Sequence, residues 1–152
     1  MTQFSRRLPA VFLALLMLLL AATAVQAREM VSAARDGVML RTGPSPRAAA
    51  TWSVDRGYPL EVLGRKGSWL RVRDFENDRA WVRSSRVGRQ AHVVSTASAL
   101  NVRSTPSTRA RIVAKAGYGD VLRTIERRGD WLKVRTGTGR VGWVSRKLVW
   151  GW

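Results

Sequence analysis

The chain contains no cysteine and a single histidine, His92. Without cysteine there is no disulfide, no thiolate metal site, no covalently attached haem and no cysteine nucleophile. With one histidine, a Ser/His/Asp constellation would have to be built on His92, which sits beside the joint between the two halves of the chain. Acidic residues are scarce too: 10 Asp and Glu stand against 27 Lys and Arg, for a net charge of +17. Glycine-rich phosphate loops are missing, since Gly137-Thr138-Gly139 separates two strand-like runs rather than opening a helix. No stretch after Ala27 sustains a helical apolar stripe. These absences lead to the expectation that the protein is not an enzyme and holds no cofactor or metal. The one cluster of carboxylates, Asp74, Glu76 and Asp78, puts three acids at alternate positions, a pattern that a calcium site with its six or more oxygens could use. It is read instead as a hairpin turn whose acids pair with Arg73 and Arg79.

What is present begins with a targeting pattern. Arg6 and Arg7 precede an uncharged run from Leu8 to Ala27, densest between Val11 and Leu20, and the run ends in Val25-Gln26-Ala27. A positive start, a short apolar centre and a small-residue exit describe a secretory signal cleaved after Ala27. A run of about 20 uncharged residues can also just span a bilayer, so retention as an anchor is the competing reading. Cleavage removes Arg6 and Arg7 and lowers the net charge from +17 to +15.

The remainder repeats itself. Leu40-Arg41 with Pro44-Ser45 returns 62 residues later as Val102-Arg103 with Pro106-Ser107. Gly67-Ser68-Trp69-Leu70-Arg71-Val72-Arg73 returns at the same spacing as Gly129-Asp130-Trp131-Leu132-Lys133-Val134-Arg135, and Trp81-Val82 as Trp143-Val144. Gly57-Tyr58 matches Gly117-Tyr118 at 60, which requires a two-residue gap. Two copies of such a unit suggest two small domains, 28–88 and 91–152, with a linker over 87–91. Inside each copy apolar and polar residues alternate, as in Leu70 and Val72 against Trp69, Arg71 and Arg73. Alternation of this kind, broken by turns rich in Gly, Pro, Asn and Asp, predicts an all-β fold of short strands in a small barrel or sandwich.

Leu100-Asn101-Val102-Arg103-Ser104 with Pro106-Ser107, then Gly129-Asp130-Trp131-Leu132-Lys133-Val134, then Gly142-Trp143-Val144-Ser145, resembles the bacterial SH3 (SH3b) family. The first copy is a variant of the pattern, with Met39 in place of the usual Asn and Ala80 in place of the usual Gly. The resemblance implies two SH3-like β-barrels in tandem and a targeting or binding role, often toward cell-wall peptidoglycan or peptides. It also nominates Trp69 and Trp131, which open the equivalent strand in each copy, as ligand-binding residues, with Tyr58 and Tyr118 as weaker neighbours. Trp81 and Trp143 are read as structural. The stretches after Trp81 and Trp143 lack the proline and tyrosine of the polyproline-binding groove, so polyproline recognition is not expected.

Charge adds a second line. Residues 28–90 carry 13 basic and 7 acidic groups, and residues 91–152 carry 12 and 3. Arg127 and Arg128 join the candidate site on this ground, because a basic surface attracts anionic polymers. The expectation is a periplasmic or secreted, non-catalytic protein that recognises peptidoglycan or another anionic envelope component. A protein-interaction adaptor, or an accessory subunit of an envelope enzyme, is the alternative. Nucleic acid is not an expected partner of an exported chain, and a membrane is expected only through an uncleaved signal segment. The second copy, closer to the family pattern and more basic in balance, is the expected binder. The terminal Trp150-Gly151-Trp152 is expected to pack on the second barrel or at the domain junction, or to touch an envelope surface.

Overall fold

A computed structural model of the chain describes residues 27–152. The signal segment read over 1–27 therefore lies outside the described residues, Ala27 excepted. The alternating runs form strands where the sequence places them. The first sheet comprises β1 (Met30–Ala33), β2 (Val38–Arg41), β3 (Ala50–Val54), β4 (Pro59–Lys66), β5 (Trp69–Arg73), β6 (Arg79–Arg83) and β7 (Val87–Gly88). The second comprises β8 (His92–Ser95), β9 (Leu100–Arg103), β10 (Ile112–Ala116), β11 (Val121–Arg128), β12 (Trp131–Arg135), β13 (Val141–Ser145) and β14 (Val149–Gly151). The order is β3-β2-β6-β5-β4-β1-β7 in one sheet and β10-β9-β13-β12-β11-β8-β14 in the other, and all pairings are antiparallel. Val87 and Gly88, read from the sequence as linker, are strand residues paired with β1, because Ala33 and Ser32 need partners on that edge.

Each sheet wraps its own core. Leu40, Leu60 and Val72 are fully covered in the first module, and Leu100, Val102 and Val134 in the second. The register of the repeat is uniform. Arg41 Nη1 donates to the Ala48 carbonyl at 2.8 Å, and Arg103 Nη1 to that of Ala110 at 2.9 Å. Gly57 N donates to Ala33 O at 2.8 Å, and Gly119 N to Ser95 O at 2.9 Å. The counterpart of Gly57 is thus Gly119, at the same spacing of 62 as the rest, and no gap is needed. Both glycines hold positive φ, +86° and +82°, which a β-carbon would strain. Gly117-Tyr118 repeats the dipeptide but not the turn position.

The hairpin between β5 and β6 corrects a second expectation. Asp74 Oδ1 accepts the backbone N–H groups of Glu76 and Asp78 at 3.0 and 2.9 Å. In the second module the Thr136 hydroxyl accepts from Arg140 N at 3.1 Å. The acids serve the turn, but they do not pair with Arg73 and Arg79. Arg73 instead bridges to Glu61 across the sheet at 2.7 Å and donates to Asn77 at 3.1 Å.

The modules touch. Trp152 Nε1 donates to Ser32 Oγ at 3.2 Å, and Tyr118 Oη to Glu76 Oε1 at 2.8 Å. Phe75 stands edge-on to Tyr118, with ring centroids 5.3 Å apart. The His92 ring lies so close to Gly57 that a β-carbon there would meet it at 2.7 Å.

Candidate functional site

Each module has a groove bounded by its strand-opening tryptophan, and the two grooves occupy equivalent positions. The first, of about 350 Å³, is lined by Met39 and Arg41 of β2, Pro46 of the following loop, Trp69 of β5, and Arg83, Ser85 and Arg86. Arg35 and Gly37 complete its rim. The second, of about 90 Å³, is lined by Asn101, Arg103, Thr108, Trp131, Ser145 and Leu148. Residue for residue, Met39, Arg41, Pro46, Trp69, Arg83 and Arg86 correspond to these six at the spacing of 62. The site arises locally in the same way each time. Trp69 or Trp131 follows a glycine turn, points away from the core side of its strand, and faces the loop after β2 or β9 and the 3-10 turn that follows β6 or β13.

The six sequence-nominated residues divide among three places. Trp69 and Trp131 line the grooves, but Trp69 is not the open ring the alternation suggested. It is only 8% exposed, although it lies outside the core cluster, because the Arg83 guanidinium stacks over it at 5.4 Å. Ser145 replaces Arg83 in the second module, and Trp131 is half-buried. Tyr58 and Tyr118 line neither groove. Both stand at the module junction with Phe75, whose ring centroid is 6.3 Å from that of Tyr58. Burial, reinforced by Asp74 and Glu76, holds the Tyr58 hydroxyl well above the ordinary phenol range. The hydrogen bond to Glu76 raises that of Tyr118. Both therefore act as neutral donors. Asp74, which accepts from Tyr58, is itself raised, chiefly by burial and against the pull of its two backbone N–H partners.

Arg127 and Arg128 lie at the exposed end of β11. Arg128 pairs with Glu126 at 3.1 Å and covers Trp143 at 4.9 Å. Trp143 is 6% exposed, in keeping with its structural reading. The residues the sequence reading missed are Arg35, Arg83 and Arg86. Arg83 of β6 stands opposite Trp69 in the sheet, and Arg35 and Arg86 reach the groove from the β1–β2 loop and the 3-10 turn after β6; their replacement by Ala97, Ser145 and Leu148 in the aligned repeat was a signal. The carboxylates Asp74, Glu76 and Asp78 do offer oxygens within 4.8 Å of one another. However, the Asp74 oxygens are already engaged by Tyr58 and the turn amides.

Two family models, each described as "Bacterial SH3 domain", match residues 34–88 and 98–149. YrvJ of Bacillus subtilis (strain 168), named as an N-acetylmuramoyl-L-alanine amidase, is 28% identical over 126 residues; the match takes in 72% of this chain. The chain spans about a quarter (24%) of the length of that relative. Among solved structures, an NlpC/P60 family protein from Bacillus cereus is 12% identical, with a TM-score of 0.38 over 80% of this chain and 56% of that one. NlpC2 from Trichomonas vaginalis is likewise 12% identical, with a TM-score of 0.36 over 84% of this chain and 49% of that one. The expectation that this protein stands apart from enzymes is corrected by the YrvJ match. That expectation rested on the missing cysteine and the single histidine, whereas the curated relative is named as an amidase. With two sheets of one topology in one register, and a family match on each, the chain belongs to the bacterial SH3 domain family, as a tandem of two such domains.

Proposed function

We propose that the tandem modules hold a peptidoglycan-hydrolysing activity against the cell wall, outside the cytoplasm, with the paired tryptophan grooves as the contact surface. The observation that carries this reading is the duplication of one groove around Trp69 and Trp131, while other aromatics are used in the junction. An aromatic wall beside guanidinium and hydroxyl donors suits a ligand that is part sugar ring and part peptide. The amidase name of the curated relative supports a wall polymer as that ligand, and the secretory pattern of residues 1–27 supports its location. Two grooves on domains joined by a short linker also gain from each other, because the second contact is made at high effective concentration on a repeating polymer.

Co-sedimentation with purified sacculi tests the proposal. The chain is expected to sediment with sacculi, Trp131→Ala to weaken sedimentation at unchanged melting temperature, and Trp69→Ala with Trp131→Ala to remove most of it. A chain that stays in the supernatant at low salt contradicts the reading. Sedimentation indifferent to both tryptophans contradicts the site.

A further inference from the structure

The two grooves share a frame but not a charge. Arg41 and Arg103 are common to both, and each is tied to a loop carbonyl, so they belong to the frame. The difference lies at three positions. Arg35, Arg83 and Arg86 in the first groove stand where the second domain has Ala97, Ser145 and Leu148. Lys147, the counterpart of Ser85, is exposed and does not line the second groove. None of Arg35, Arg83 and Arg86 forms an ion pair among the described residues. The first groove has no carboxylate in its lining, and Asp36, the acid next to Arg35, accepts instead from Arg56 N at 3.0 Å. Three unpaired guanidinium groups around one concavity raise its potential together, and their planar donors match a carboxylate in two-pronged fashion. The Arg83 guanidinium already lies over the Trp69 ring, a contact that lowers the ordering cost of using it.

We infer that the first domain's groove is a site for an acidic peptide segment carrying at least two carboxylates, and that the second groove takes an uncharged segment. Resting on the wall-binding reading, this makes the carboxylate-bearing stem peptide the first domain's ligand. It also reverses the expectation that the second domain, richer in net charge, is the principal binder. Net charge over a domain does not locate its field: the basic residues of β11 and β12, Arg123, Arg127, Arg128, Lys133 and Arg135, do not line the second groove.

The test uses the full chain and two forms of one synthetic stem peptide, with its carboxylates free or amidated, followed by calorimetry. The free form is expected to bind about tenfold tighter than the amidated one, and to lose most of that advantage between about 50 and 200 mM salt. R83Q/R86Q, two exposed positions, should erase the preference at unchanged melting temperature. S145R/L148R should raise the number of carboxylate-preferring sites from one to two. Equal affinity for both peptides, or a preference that survives R83Q/R86Q, overturns the inference. So does displacement of the peptide by an equal concentration of a short oligonucleotide, which would mark an unselective polyanion site. Sacculi that sediment with the chain while the peptide preference is absent leave the wall reading standing and remove this one. A peptide preference without sacculus binding does the opposite.

Discussion

A β-carbon added to Gly142 would meet the Arg103 carbonyl oxygen and Val102 Cγ1 at 2.7 Å, and Val113 Cγ2 at 3.0 Å. Two of those neighbours are core and backbone, with little room to move aside. The first domain carries Ala80 at this position, only 4% exposed, and has Leu40 and Thr51 as the counterparts of Val102 and Val113. Leucine branches one carbon further out than valine, so the methyl that crowds position 142 has no equivalent on Leu40. Gly142→Ala is therefore expected to destabilise the second domain by about 1–3 kcal/mol, as overpacking does. Chemical denaturation checks it, and an unchanged midpoint would contradict the packing account. The sequence showed Ala80 as a departure from the family pattern but could not show its cause, since the compensating residues lie on other strands. It marked Trp69 and Trp131 correctly as counterparts, because a rare residue in a rigid register is hard to misalign. It misplaced Tyr118 as the counterpart of Tyr58, because the dipeptide match concealed that Gly119, not Gly117, supplies the positive φ.

Strands β1 and β8 have all four residues buried, where alternation predicts a solvent face. One face of each feeds its own core, with Val31 and Ala33 in the first domain and Val93 in the second. The other face carries Met30 and Ser32 in β1, and His92 and Val94 in β8, and meets the junction. This two-sided burial is what sequence periodicity leaves illegible: a four-residue strand gives two residues per face, and the partner that covers the second face lies in the other repeat. His92 shows the consequence. Burial lowers its pKa from 6.5, Arg123 lowers it further, and the hydrogen bond between Nδ1 and the Gln90 carbonyl opposes both. Its folded pKa is then below its unfolded one, so the unfolded chain binds more protons as pH falls through about 6.5. His92 therefore costs nothing above that pH and destabilises the fold progressively below it. Asp74, with a raised pKa, has the opposite slope, since the folded state then takes up protons more readily than the unfolded one. The two contributions separate in a variant. His92→Gln should retain more of its neutral-pH melting temperature at pH 5 than the parent chain does, and parallel losses in both proteins would contradict a role for His92.

At the scale of the molecule, three residues, Arg89 to Ala91, join sheets that also meet through Trp152, Tyr118 and Phe75. The terminal tryptophan belongs to this junction, one of the alternatives its sequence left open. The junction residues Trp152, Tyr118 and Phe75 line neither groove. The duplication, strand content and groove tryptophans were legible because they are local patterns repeated at a fixed spacing. The charge contrast between the grooves was not, because Arg35, Arg83 and Arg86 meet only when the β1–β2 loop, strand β6 and the 3-10 turn after it come together beside Trp69. The central claim is that wall material is bound in the grooves and not at the junction. Chemical-shift mapping of the full chain with a soluble muropeptide tests it most directly. The indole signals of Trp69 and Trp131 and the side-chain signals of Arg83 and Arg86 are expected to move on titration while those of Trp152 and Tyr118 hold still. Shifts confined to Trp152, Tyr118 and their neighbours, with both grooves silent, would contradict it.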